Sequence, residues 1–320
     1  MVRAEPSPRG LRRATGLIAA AVLLVAALWL SPAAGLEDGF GLRLLYALRG
    51  PLAPPADVVI VAMDAASAQT LGVPAQPDRW PRALHARLVA GLAASGARAI
   101  GFDLLFARAR DPAEDAALAD AIRRAGNVVL AETVHRDFVR TADGRIVAST
   151  DRRVPPLPLL AEAAHATAPF VLPKTADGVF EFWASVPTLG DRPALPAVLA
   201  ALMRAGDPAD ERATASPAAP ARRVLNLYGP IGTIETIPYG RALDLLADPA
   251  RAAATFAGKA VLVGYSESNQ SRQIDAHRTP FSRADGVDIS GVELCATALG
   301  NLLRDSGLRR PGEAAPDRDA

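Results

Sequence analysis

The hydrophobic positions of the chain change period several times, and each change marks an element. Asp57 to Met63 is a continuous β-branched run that ends on Asp64, as expected of a strand buried on both faces. Arg98 to Phe102 is a second such strand and ends on Asp103. Between them Pro81 suits a first helical turn, and Leu84, Leu88 and Leu92 recur at i, i+4, i+8 before Gly96 ends the helix. Asp111-Pro112 opens another helix with Ala116, Leu118, Ala119 and Ile122, stopped at Gly126, and Asn127 to Ala131 is a third strand. This alternation with short joints predicts an α/β fold: a parallel-sheet core with right-handed crossover helices.

The pattern then alters. Asp143-Gly144 sits between Val134–Val139 and Arg145–Ala148 and reads as a hairpin turn. Asp177-Gly178, between Phe170–Leu172 and Val179–Trp183, reads the same way. Both predict antiparallel hairpins inserted into the core. A helix is expected over Pro193–Ala205, an exposed loop over Gly206–Pro220, and a strand over Arg223–Tyr228. Helices over Pro238–Leu246 and Gly291–Leu303 flank a core strand, Ala260–Gly264.

Upstream, Ala14–Leu30 is apolar except for Thr15 and is 17 residues long, near the lower limit for a membrane-spanning helix. Arg3, Arg9, Arg12 and Arg13 precede it, and Glu37 and Asp38 follow. This asymmetry predicts a cytoplasmic N-terminus and an exported remainder, in the cell (inner) membrane. The competing reading is a cleaved signal peptide, weakened by Pro32 within Ser31-Pro32-Ala33. Leu36, Phe40, Leu44 and Leu48 then predict an amphipathic helix over Leu36–Arg49, stopped by Gly50-Pro51. The organisation expected is a cytoplasmic 1–13, a transmembrane helix 14–30, an extracytoplasmic domain 36–303 and a polar tail 304–320.

Charge balances at +1, with 35 basic and 34 acidic residues, so no nucleic-acid footprint is present. Cys295 is the only cysteine, which excludes an intrachain disulfide and a cysteine-rich zinc site.

The strand-end carboxylates Asp64 and Asp103 are the main candidate chemistry, because open α/β sheets bind ligands in the crevice beyond their strands' carboxyl ends. The bland alternatives are that Asp64, with Ser67, caps a helix and that Asp103 orders the following loop. Arg82 stands at a helix N-terminus, where a cation is unfavourable without a partner; Asp64 and Asp103 are the natural partners. The polar loop Asp275–Phe281 lies beyond the strand Ala260–Gly264 and is expected to be an ordered surface loop; the alternative is that it closes over the aspartates. Gly264-Tyr265-Ser266-Glu267-Ser268 lacks the final glycine of a nucleophile elbow. The histidines at 85, 135, 165 and 277 share no metal-ligand spacing, and His85 is expected at or near the surface. Neither a phosphate loop nor a dinucleotide fingerprint is present.

Taken in order, several of these residues resemble the CHASE2 family of extracytoplasmic sensor domains. They are the strand ending in Asp64, Trp80-Pro81-Arg82, Gly101-Phe102-Asp103, Leu227-Tyr228-Gly229-Pro230, Phe256–Gly264, Asp275 with Thr279-Pro280, and Ser290-Gly291-Val292-Glu293. The resemblance spans about Leu36 to Leu303. It implies a sensory module after one membrane helix, followed by further membrane helices and a cyclase, kinase or diguanylate-turnover output. The chain departs from that pattern in ending after Arg309-Arg310-Pro311, where returning helices are expected, and in Cys295, where the family pattern has histidine.

The expected function is a membrane-anchored sensor that binds an unknown small molecule, with Asp64, Arg82, Asp103, Asp275 and Thr279 as candidate ligand-binding residues. No catalytic residue, metal or cofactor is assigned. The expected partners are the membrane, that ligand, and a second copy or a separate cyclase or kinase output protein. The chain is then a fragment or subunit of such a receptor. The alternative is an exported metal-dependent hydrolase using the aspartate pair.

Overall fold

The structure is a computed structural model that describes residues 34–141, 143, 145–173, 178–205, 222–267, 275–282 and 286–304. The apolar run Ala14–Leu30, the loop Gly206–Pro220 and the tail beyond Arg304 lie outside them. Among the described residues no helix is long and apolar enough to cross a membrane.

The chain divides into two units, 1–50 and 51–320. In the first, helix α1 spans Ala34–Arg49 and ends where Gly50 adopts a left-handed φ of 72°. Of the predicted stripe, Leu44 and Leu48 are exposed, at 50% and 77%.

The second unit is built on strands β1 (Val58–Met63), β2 (Ala99–Asp103), β3 (Val128–Arg140), β4 (Ile146–Val154) and β5 (Ala166–Pro169). Strands β6 (Glu181–Trp183), β7 (Ser185–Val186), β8 (Arg192–Pro193), β9 (Arg222–Val224), β10 (Thr236–Pro238) and β11 (Ala260–Tyr265) follow, then β12 (Ala276–His277) and β13 (Ile289–Ser290). The helices are α2 (Ala65–Leu71), α3 (Arg82–Ala94), α4 (Pro112–Ala125), α5 (Pro158–Ala163), α6 (Leu195–Arg204), α7 (Tyr239–Leu246), α8 (Pro249–Phe256) and α9 (Gly291–Arg304).

The central sheet runs β10-β1-β11-β2-β3-β5 with every neighbour parallel. β3 outruns its neighbours. Its first half pairs with β2 and β5, and its second half pairs antiparallel with β4, Thr133 opposite Val154. That is the predicted hairpin around Asp143. The second predicted hairpin does not form: β6 pairs with β9, not with Phe170–Leu172, so a segment about forty residues away supplies its partner. The strand expected over Arg223–Tyr228 is correspondingly short, because only Arg222–Val224 finds a neighbour.

Alternation along the strands splits the core into two layers. Val59, Val61, Met63, Ile100, Phe102, Val261 and Val263 pack with α3, α4, α7 and α8 through Leu88, Leu118, Ile122, Leu243 and Phe256. Val58, Ile60, Ala99, Val129 and Leu262 pack with α6 and α9 through Leu195, Leu199, Val292, Cys295 and Leu299. Each buried aliphatic side chain of this kind contributes about 1.5–3 kcal/mol relative to exposure. Within α4 the expected Ala116 is exposed, and Asp115 is buried instead.

Candidate functional site

The carboxyl ends of the parallel strands carry the polar residues singled out by sequence, but the topology separates them. β11 lies between β1 and β2, with Ala62, Gly264 and Asp103 in one register row. Two inter-strand spacings, about 9–10 Å, therefore divide the strand bearing Asp64 from the strand bearing Asp103. The two aspartates do not form a pair.

Asp64 is the N-cap of α2: its carboxylate accepts the Ser67 N–H at 2.7 Å. The Ala65 N–H donates to Glu267, which follows β11 and is buried. The cap reading of Asp64 is the one the geometry gives.

Arg82 does form an ion pair, but with Asp115 rather than with Asp64 or Asp103. Its Nε lies 3.3 Å from Asp115 Oδ1, both side chains are buried, and the guanidinium sits 4.3 Å from the centre of the Phe106 ring. The second Asp115 oxygen accepts the Arg110 N–H at 2.8 Å. Burial, and then Arg110, lower the Arg82 pKa, while Asp115 raises it. The partner comes from the first turn of α4, thirty-three residues on, which sequence spacing does not reveal.

His85 is fully buried, not superficial. It shares a 3.0 Å hydrogen bond with the Tyr239 hydroxyl and meets Phe102, Phe106 and Tyr239 edge-on. Burial, with Arg82 and Arg110 nearby, pushes its pKa down to about 3 and keeps it neutral. Trp80 joins this cluster, 5.0 Å from Tyr239, and its indole N–H donates to Pro74. Trp80-Pro81-Arg82 is thus a packing motif.

Asp103 has a different setting. It lies beside Asp275, and burial followed by the Asp275 charge pushes its carboxyl up to about 7. Asp275 in turn holds His277, Nε2 to Oδ1 at 2.8 Å. The close approach of this segment depends on glycine: a Cβ on Gly291, at the start of α9, would fall 1.9 Å from Asp275 Oδ2. The segment Asp275–Phe281 thus brings Asp275 to the surroundings of Asp103. Thr279 is buried and closes a turn, its N–H donating to Ser282 Oγ at 2.8 Å and its Oγ1 accepting the Phe281 N–H. Cys295 is fully buried, and burial with the Asp103 charge drives its thiol pKa up, which makes it a packing residue.

Two acidic residues that sequence reasoning left unassigned complete the picture. Glu293 is 1% exposed and accepts N–H bonds from Gly232 at 3.0 Å and Ile234 at 3.3 Å. Burial lifts its pKa to about 7 against those bonds. Hence Gly291-Val292-Glu293 and the loop after Leu227–Pro230 are one structural device. Glu132, on β3, is buried under Arg192 at 2.7 Å, Arg153 at 3.1 Å and the Thr167 hydroxyl. The sequence signal was weak: Glu132 comes directly after the apolar run Val128–Ala131 and opens the polar half of the strand, so nothing local marks it as buried.

Asp103 and Glu132 face one cavity of about 300 Å³. It opens where β2 and β5 end and β3 runs on, and its walls add Leu104, Leu105, Val134, Phe170 and Leu172. This is the crevice position expected of open α/β sheets. Among the described residues no three His, Cys, Asp or Glu side chains gather to hold a metal ion.

A family model described as the CHASE2 domain matches residues 19–317. No curated protein and no solved structure matches the chain.

Proposed function

The chain belongs to the CHASE2 domain family, a sensory domain family of signalling proteins, and from that premise we propose that it is a membrane-anchored extracytoplasmic sensor whose ligand enters the crevice at Asp103 and Glu132. Ala14–Leu30 would anchor it, with the arginine-rich flank in the cytoplasm. The domain's part is binding rather than turnover: an occupant of the crevice would favour one arrangement of the segments that meet there. The single observation that carries the reading is the family match over nearly the whole chain; the cavity at the strand ends supports where the ligand goes.

Topology reporters test it. Alkaline phosphatase fused after Arg304 should be active, a cytoplasmic-only fluorescent reporter at the same position dark, and deletion of 14–30 should release the chain from membranes. Active cytoplasmic reporter and inactive phosphatase would overturn the reading.

A further inference from the structure

Of the two carboxylates on the cavity wall, Glu132 is held by Arg153, Arg192 and Thr167, although its Oε2 accepts no hydrogen bond, whereas Asp103 has no hydrogen-bond donor and no cation among the described residues. Its nearest charged neighbour is another carboxylate, Asp275. A desolvated carboxylate beside a like charge is held at a cost that a bound cation removes. The remaining walls are mixed: Thr133 and backbone polar groups stand beside the side chains of Leu104, Leu105, Val134, Phe170 and Leu172. A bare metal ion would find too few ligands among the described residues.

We infer that the cavity takes a small organic cation, an ammonium group set against Asp103 with a short apolar body against the leucine and phenylalanine walls. A volume of about 300 Å³ accommodates a ligand the size of a small amine. The inference rests on the crevice being the sensing site.

Binding is then linked to protons. An ammonium needs Asp103 ionised, and Asp103 in the empty cavity titrates at about 7. The groups around it are Asp275 with His277 from the segment before β13, Cys295 from α9, and Glu132 with its two arginines. Affinity should rise roughly tenfold from pH 6 to pH 8 as the carboxyl loses its proton.

The test is thermal unfolding of the full chain in detergent with butylammonium chloride, against butanol, sodium butyrate and sodium chloride. Butylammonium should raise Tm by about 3 °C at tenfold excess over its Kd, more at pH 8 than at pH 6. Butanol and butyrate should not. Asp103→Asn should lose the response while remaining folded. An equal shift with butanol, an unchanged shift in the Asn variant, or no shift with butylammonium overturns the inference. Should the Asn variant not fold, the wild-type pH dependence decides: a response that is flat or falls towards pH 8 overturns it. A failed amine response with an active phosphatase fusion removes only the cation assignment, whereas a cytoplasmic domain removes the sensor reading itself.

Discussion

Gly264 on β11 stands opposite Asp103 on β2, and the side chain that Gly264 lacks is the space into which Val292 of α9 closes. A Cβ there would lie 2.7 Å from Val292 Cβ and 3.3 Å from Asp103 Cβ. Gly264→Ala should therefore destabilise the fold by about 1–3 kcal/mol through overpacking. Chemical denaturation measures it, and Gly264→Ala with Val292→Ala should recover part of the loss. No recovery would show that Val292 is not the obstacle.

Three desolvated groups set a pH profile of stability. Asp103 and Glu293 both have folded pKa values near 7, raised from 3.8 and 4.5. Their protonated forms favour folding, so that stability is full below the unfolded values and is lost as pH rises through about 7. His85 is depressed from 6.5 to about 3, so its contribution is full above 6.5 and is lost as pH falls. Together they predict that Tm rises from about pH 7 down to about pH 4 and then falls. Because His85 offsets one carboxyl below about pH 6.5, Asp103→Asn and Glu293→Gln should each remove most of the rise. A Tm that climbs steadily from pH 5 to pH 8 would contradict the assignment.

The Arg82–Asp115 pair is buried from both sides. Removing one partner leaves an uncompensated charge, so Asp115→Ala should cost about 3–5 kcal/mol. Arg82→Met with Asp115→Leu should cost less than Asp115→Ala alone, because no orphan charge remains. A double-mutant cycle by urea denaturation measures the coupling, and additive losses would mean that the pair is not an interacting unit.

Gly291→Ala should force Asp275 away from the start of α9, since the new methyl and Asp275 Oδ2 claim one position. The expected loss is about 1–3 kcal/mol, relieved when Asp275→Gly is added. The same displacement should separate His277 from its carboxylate and move the His277 ring proton resonances. Unchanged ring resonances would place Asp275 elsewhere.

Sequence alone determined the local elements of this protein and the family it belongs to. Val58–Met63 is a strand because six consecutive apolar, mostly β-branched residues have no polar face to offer. Asp111-Pro112 and Gly126 bound α4 because a cap, a proline and a left-handed glycine act on the residues next to them. Such signals lie within a few positions of their effect. Only the tertiary structure decided which strand-end carboxylates meet. β11, about 160 residues beyond β2, inserts between β1 and β2, separates Asp64 from Asp103, and brings Glu132 and Asp275 to Asp103's surroundings instead. Arg82 found Asp115 and Glu293 found Gly232 for the same reason. Strand order is fixed by which faces the whole core can bury, a property of the assembled sheet that no short stretch of sequence carries.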